Sequence, residues 1–220
     1  MKGKVLLNFL KQAKLSKLAP FSIIVLLLAT FLGTSHILPS ILPYFVFIVF
    51  GLLALYLQYS SKIIPLIFEK PAKNSWWKIV PIVIVTLIIA YVLSLFSSTV
   101  ANSALGNGSQ SDKLLRLFWI SVSLIGEEII TASLTFPFYT LIHKKIGDRG
   151  SWLYAAIIGS LLFGLLHFRT YNWNLYQMML PIGLGRLPFT WLWIKSDSLW
   201  SAIIAHIIYD LIVFLPMVFQ

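Results

Sequence analysis

The sequence predicts an all-α integral membrane protein, a bundle of about seven transmembrane helices with a polar site between helices 4, 5 and 7. Three observations lead to this fold class. Of the 220 residues, 59% are hydrophobic and only 11% are charged, and the mean hydropathy is +0.88. The apolar residues form stretches long enough to cross a bilayer. A few acids and histidines interrupt these stretches, and a soluble domain of this length would need far more polar surface.

The apolar stretches define the predicted helices, because about 20 helical residues cross a bilayer core. They fall at 19–38, 43–60, 78–97, 114–142, 151–170, 174–194 and 199–218. Pro137 in the fourth stretch predicts a kink, a tilt or a split, so six or eight helices are the alternatives. The polar stretch Ser97–Lys113, rich in Ser, Asn and Gly, predicts a flexible external loop. We interpret residues 1–220 as a single polytopic membrane domain.

The basic residues predict the orientation of the chain. There are 17 Lys and Arg against 7 Asp and Glu, a formal net charge of +10. Most of them lie before the first stretch, between the second and third, and between the fourth and fifth: Lys2, Lys4, Lys11, Lys14, Lys17, Lys62, Lys70, Lys73, Lys78, Lys144, Lys145 and Arg149. These basic residues lie in alternate connections between the apolar stretches, on one side of the membrane. This placement indicates membrane topology rather than nucleic-acid binding, and it predicts a cytoplasmic N-terminus. The chain has no cysteine, which excludes a thiolate nucleophile and a Cys-based zinc site.

Three acids fall inside the predicted spans: Glu127, Glu128 and Asp210. A charged side chain at the bilayer centre costs about 2.5 to 3.5 kcal/mol on insertion scales, so such residues usually face a polar cavity and pair with another group. The remaining acids are placed in loops, where a solvated position explains them: Glu69, Asp112, Asp148 and Asp197. The three intramembrane acids therefore require partners.

Two histidines also fall inside the spans. His167 lies four residues after Phe163, and His206 lies four residues before Asp210, a spacing that puts each pair on one helix face. Asp210 can then fix the imidazole tautomer or stabilise its protonated form. A packing histidine or an interhelical hydrogen bond is the alternative for each, whereas His36 and His143 are placed in loops. Acids and histidines on three helices favour one functional polar site.

These residues resemble the motifs of the CPBP intramembrane proteases, the family of type II C-a-a-X prenyl endopeptidases and bacteriocin-processing or bacteriocin-immunity proteins, also called Abi. The family carries Glu-Glu-x-x-x-Arg, then Phe-x-x-x-His, then His-x-x-x-Asn or His-x-x-x-Asp, on successive helices. The corresponding residues are the pair Glu127 and Glu128, then Phe163 with His167, then His206 with Asp210. The resemblance covers the back half of the chain, a family-like catalytic core at about 114–218.

One position departs from the family pattern. The Arg expected four residues after Glu128 is Ala132. Arg186 is the only basic residue well inside a predicted span, and it is a candidate for electrostatic support that supplies the missing positive charge. The alternative is a snorkelling arginine whose head is drawn to the interface beside Lys195.

The resemblance implies a glutamic-type peptidase in which a carboxylate activates water for attack on a peptide carbonyl. It implies Glu127 as the base and Glu128 as its support, with the reverse assignment open. His167 would position the water, and His206 would face the developing oxyanion, with Asp210 acting through His206. No cofactor is expected. A zinc site of His-His-Glu type is the alternative, although the chain has no His-Glu-x-x-His helix.

Two functions follow from the resemblance. The first is an intramembrane endopeptidase that serves bacteriocin processing or self-immunity. The second is a catalytically impaired membrane protein that gives bacteriocin immunity by binding a receptor or the peptide, and Ala132 favours it. A small proton-coupled transporter would also use buried acids and histidines, but no inverted repeat is visible. The expected partners are the lipid bilayer and a peptide or protein substrate in the membrane, such as a bacteriocin or its receptor.

The depth of these residues does not predict a common site. At about 1.5 Å per residue, Glu127 and His167 lie roughly 22 to 25 Å from the cytoplasmic ends of their helices. His206 lies only about 10 to 14 Å from the start of its helix by the same measure. A single site therefore requires tilt, a helix break, a water-filled cavity or different helix boundaries.

Overall fold

The computed structural model describes residues 5–35, 37–39, 41–97, 100, 102 and 104–219. The described residues form helices and turns, with no strand among them. The α-helices are α1 (Val5–Gln12), α2 (Phe21–Thr34), α3 (Pro43–Tyr59), α4 (Ile63–Ile67), α5 (Ile79–Ser94), α6 (Gln110–Leu165), α7 (Leu175–Gln177), α8 (Leu187–Ser196) and α9 (Leu199–Val218). His36, Lys2 and Lys4, which the sequence placed in loops, lie outside the described residues.

Three helical segments in the described part of the chain are long and apolar enough to cross a membrane by length and composition. They are Trp76–Ser94, Gln110–Leu165 and Leu199–Val218. Two shorter apolar helices, α2 and α3, pack against each other. The fold is thus an all-helical, multi-pass membrane architecture, and the number of seven crossings stays a prediction.

Helix α6 is a hairpin of two limbs, 110–146 and 148–165, that contains the predicted fourth and fifth helices. The chain leaves helical geometry at Gly147, where φ is 72° and ψ is 170°. The limbs pack against each other, because the rings of Tyr139 and Trp152 stack with centroids 4.1 Å apart. Gly147 thus lies in the predicted connection between the fourth and fifth helices, and no split occurs at Pro137, which lies inside the first limb.

The start of α6 corrects the predicted loop Ser97–Lys113. Ser109 caps the helix by accepting from the Asp112 backbone N–H at 3.2 Å, and the Asp112 carboxylate accepts from the Ser109 backbone N–H at 3.0 Å. This reciprocal capping box satisfies two free N–H groups of the first turn. The helix accordingly begins at Gln110, about one turn earlier than the apolar pattern indicated.

Glycines allow the close helix packing that positions the acidic pair. A Cβ on Gly126 would lie 2.6 Å from the Ile48 backbone nitrogen on α3. A Cβ on Gly164 would collide with the Met178 carbonyl oxygen, so the second limb of α6 approaches the segment after α7 equally closely. Small residues permit such contacts between membrane helices. Glu127 and Glu128 are therefore the next two residues in sequence after Gly126, where α3 and α6 are in contact.

The segment 175–196 is one irregular helical stretch. After α7 it forms a π-helical turn at Met178–Gly183, then a 3₁₀ turn at Leu184–Arg186, and then α8. Pro181 lies inside the π-helical turn and has no N–H to donate to the helix. Turns of this kind often occur at functional sites. Arg186 ends the 3₁₀ turn.

Helix α1 covers the turn between α8 and α9, a feature that the lysine-rich N-terminal sequence did not indicate. The backbone N–H groups of Leu6 and Leu7 donate to the two oxygens of Asp197, each at 3.1 Å. Lys11 forms an ion pair with Asp148. Asp197 thus caps a helix, and its predicted role as a solvated loop acid is wrong.

Candidate functional site

Glu128 is the centre of the polar cluster inside the bundle. Its side chain is fully buried, and Oε1 accepts from Arg186 Nη2 at 2.5 Å and from His206 Nδ1 at 2.8 Å. These groups come from α6, from the 3₁₀ turn before α8 and from α9. The cluster therefore joins the predicted helices 4, 6 and 7, whereas the sequence placed it between helices 4, 5 and 7.

Arg186 is a buried partner of Glu128 and does not snorkel to the interface. It is 3% exposed, and Cζ lies 4.3 Å from the centroid of the Phe163 ring, a cation–π contact. Its Nε and Nη1 have no hydrogen-bond partner in the described part of the chain. Two nitrogens of a buried guanidinium, which carry three N–H bonds, thus remain available inside the bundle.

Ala132 lies in the apolar core, where the family motif has its arginine. The residue is fully buried and belongs to a cluster that includes Phe136, Phe189 and Trp193. The small side chain of alanine fits this apolar packing, and the cation beside Glu128 comes from Arg186 instead.

Glu127 differs from its neighbour in its surroundings. Successive residues on a helix point about 100° apart, and Glu127 is half-buried. No residue in the described ranges donates a hydrogen bond to its carboxylate, although its carbonyl oxygen accepts from Thr131 Oγ1 at 2.8 Å. The charges of His206 and Arg186 act on it electrostatically. Glu127 is therefore a carboxylate near the cluster whose two oxygens have no hydrogen-bond donor among the described residues.

His206 lies between two acids. Nδ1 bonds to Glu128, and Nε2 lies 3.9 Å from Asp210 Oδ1, which is too long for a hydrogen bond. The ring stacks on Phe189 with centroids 4.9 Å apart. Because an ionised carboxylate only accepts, Nδ1 carries the proton in the bond to Glu128. The predicted pairing with Asp210 is thus a loose contact, and the closer partner is Glu128.

His167 lies just beyond the helix on which the sequence placed it. The second limb of α6 ends at Leu165, so the predicted boundary at residue 170 is wrong. Nδ1 bonds to the Phe163 carbonyl oxygen at 3.2 Å, and the ring lies 4.7 Å from the Phe163 ring. Since a carbonyl only accepts, Nδ1 is the donor and Nε2 remains available. Phe163 is thus in contact with both His167 and Arg186.

Two aromatic residues near the cluster had not been selected from the sequence. Phe189 stacks on His206, and no sequence signal pointed to it. Tyr171 lies four residues after His167, and their ring centroids are 6.1 Å apart, so the i,i+4 spacing could have identified it. Among the described residues, no group of three or more His, Asp or Glu side chains has the geometry of a metal site.

The helical fold and the buried acid–histidine–arginine cluster together define a polytopic membrane protein with an internal polar site. Residues 110–212 match the family model for type II CAAX prenyl endopeptidase Rce1-like proteins. The match covers a little under half of the chain, and over those residues the chain is similar to this family. No curated protein and no solved structure matches the chain.

Proposed function

We propose that the chain is an intramembrane endopeptidase of the CPBP type in which Glu127 activates the hydrolytic water. The observation that supports this is the contrast between the two adjacent acids. Glu128 Oε1 is held by Arg186 and His206, whereas no described residue donates to the Glu127 carboxylate. A general base needs a free oxygen within reach of water. Glu128 Oε2 also has no hydrogen-bond partner among the described residues, but it is fully buried, whereas Glu127 is only half-buried.

Glu128 then acts as support. A carboxylate fixed by a guanidinium and an imidazole N–H is a poor proton acceptor, because accepting a proton would weaken both bonds. Its negative charge instead holds Arg186 and His206 in place. Such preorganised groups contribute to catalysis without reorganising during the reaction.

The proposed step is water attack on a peptide carbonyl. Glu127 takes one proton from water, and the hydroxide oxygen bonds to the carbonyl carbon, which places negative charge on the carbonyl oxygen. The candidate donors to that oxygen are the free N–H groups of Arg186 and, when the imidazole is doubly protonated, Nε2 of His206. Glu127 returns its proton to the leaving amine as the C–N bond breaks.

His167 and Asp210 are assigned positioning roles. His167 Nε2 is free to accept from water, since Nδ1 is bound to the Phe163 carbonyl. Asp210 lies beside His206 Nε2 and would stabilise the imidazolium state. We propose zinc-independent hydrolysis, with a His-His-Glu zinc site as the alternative to be tested with a chelator.

We assign the biological role to bacteriocin processing or self-immunity. The alternative is immunity by binding, without cleavage, and one observation favours it. Ala132 removes the motif arginine, and the replacement charge comes from a residue 58 positions away from Glu128 in the chain. A relative that has lost catalysis has no need of an arginine beside the base.

Cleavage of a farnesylated C-a-a-X peptide by the purified protein in lipid nanodiscs tests the proposal. Glu127→Gln should reduce the rate by roughly 10² to 10⁴-fold, the range for loss of a general base. Glu69→Gln, which changes a carboxylate in the loop after α4, is the matched control and should retain activity. Activity that survives Glu127→Gln but is lost on chelation would favour the zinc alternative.

A bacteriocin-protection assay separates the two biological roles. Alanine variants of Glu127, Glu128, His167 and His206 are expressed singly, and the folded protein in the membrane is measured for each. Loss of protection with normal membrane levels supports proteolysis. Full protection by every variant would establish immunity by binding and contradict the catalytic role.

A further inference from the structure

A cavity lies between the start of α5 and the end of α8, separate from the acidic cluster. Its volume is about 550 Å³, and it is lined by Asn74, Trp77, Lys78, Pro81, Ile82 and Trp191. The Ala72 backbone N–H donates to the Ser196 carbonyl oxygen at 3.2 Å, which ties the loop before α5 to the end of α8. The cavity is thus formed by two segments that are joined at one end of the bundle.

Two lysines lie near the Trp191 ring, which lines this cavity; Lys78 also lines it, and Lys195 is close to the ring. Lys78 Nζ lies 6.0 Å and Lys195 Nζ lies 5.7 Å from the centroid of the Trp191 ring. The ion pairs among the described residues include neither lysine. Two positive charges near one ring attract an anion to this part of the surface. The cavity therefore has the charge for an anionic ligand.

The surroundings of the lysines are those of a membrane interface. Trp77 is 85% exposed and Trp191 is 44% exposed, and tryptophans of this kind lie at the level of lipid headgroups. Below them, Pro81 and Ile82 line the cavity, and Val80 and Ile84 on α5 are more than 45% exposed. A ligand at this position would have a polar anionic end and an apolar chain.

We propose that this cavity is a binding site for an anionic glycerophospholipid. The phosphate lies between Lys78 and Lys195, Asn74 donates to the headgroup, and an acyl chain runs along Ile82 and the exposed face of α5. Basic pockets between transmembrane helices bind anionic headgroups in this way. The site is independent of the proposed peptidase activity, because none of its residues belongs to the acidic cluster.

Native mass spectrometry of the full chain with bound lipid tests the site. The probes are phosphatidylglycerol and phosphatidylcholine of the same acyl chains. The double variant Lys78→Gln with Lys195→Gln should lose roughly 25-fold in retention of phosphatidylglycerol, about fivefold for each lysine. Retention of phosphatidylcholine should change less than about twofold.

The matched control is Lys144→Gln with Lys145→Gln, which removes the same charge from exposed positions near the turn at Gly147. It should retain phosphatidylglycerol like the wild type. If both double variants lost the same retention of phosphatidylglycerol, the lipid would be held by basic surface residues in general and the proposal would be overturned. Equal retention of the two lipids by the wild type, or displacement of phosphatidylglycerol by inorganic phosphate, would overturn it as well. Thermal unfolding confirms that each variant is folded.

Discussion

Replacing Arg186 by methionine isolates the charge that compensates Glu128. Methionine keeps an apolar stem of similar length against Phe163, so the substitution removes chiefly the guanidinium. Glu128 is then a fully buried carboxylate held by His206 alone. Breaking a buried ion pair by removing one partner costs about 3 to 5 kcal/mol. For a chain of this size, that corresponds to a fall in Tm of roughly 6 to 20 °C.

A double-mutant cycle gives the size of the interaction. Glu128→Gln keeps an oxygen that can accept from His206, so it removes mainly the charge that faces Arg186. Each single variant leaves one buried charge unpaired, whereas the double variant leaves none. The double variant should therefore be more stable than the sum of the single effects predicts, by about 1 to 3 kcal/mol.

Thermal unfolding in lipid nanodiscs, followed by tryptophan fluorescence, provides the measurement. The control is Arg149→Met, since Arg149 is exposed and its loss should change the free energy of unfolding by less than about 0.5 kcal/mol. If Arg186→Met were no more destabilising than Arg149→Met, or if the cycle were additive, the buried ion pair would not stabilise the protein.

Three further variants test the site, the packing and the N-terminal helix. Glu127→Gln should reduce peptide cleavage at least about 10²-fold with Tm unchanged; an equal fall in Tm would indicate a structural role instead. Gly126→Leu should lower Tm, because even a Cβ would lie 2.6 Å from the Ile48 nitrogen. The control is Gly150→Ala, since no atom lies nearer than 3.5 Å to a Cβ at that position. It should leave Tm unchanged or raise it. Asp197→Ala should raise the rate of amide hydrogen exchange in α1 by roughly fivefold, because the loss of a helix cap costs about 1 kcal/mol. An unchanged exchange rate would contradict the capping role.

The sequence predicted the helical elements well because membrane helices require long apolar stretches. It placed the connection between the fourth and fifth helices correctly, but the break considered at Pro137 does not occur. Proline at position 137 removes only one donor, and the helix continues through it, whereas Gly147 adopts a positive φ that reverses the chain. Helix α1 was missed because it is short and amphipathic, and its partner Asp197 is far away in the chain.

The motif spacings identified the acids and histidines, but the contacts among them depend on tertiary packing. The depth estimate set His206 apart from Glu127, yet His206 bonds to the neighbouring Glu128. The reason lies at the start of α9, where Leu199 and Ser201 are fully buried and α1 covers the preceding turn. Depth counted from that helix start is therefore too small, because the start itself lies inside the protein.

The distance in sequence between Glu128 and Arg186 has a consequence for the biosynthesis of the protein. An arginine four residues after Glu128 would enter the membrane on the same helix and compensate the charge at once. Arg186 is synthesised 58 residues later, which takes roughly 3 to 12 s at ribosomal rates. During that interval the first limb of α6 carries an uncompensated acidic pair. We expect this limb to be more stable in the membrane once the segment that carries Arg186 has been made.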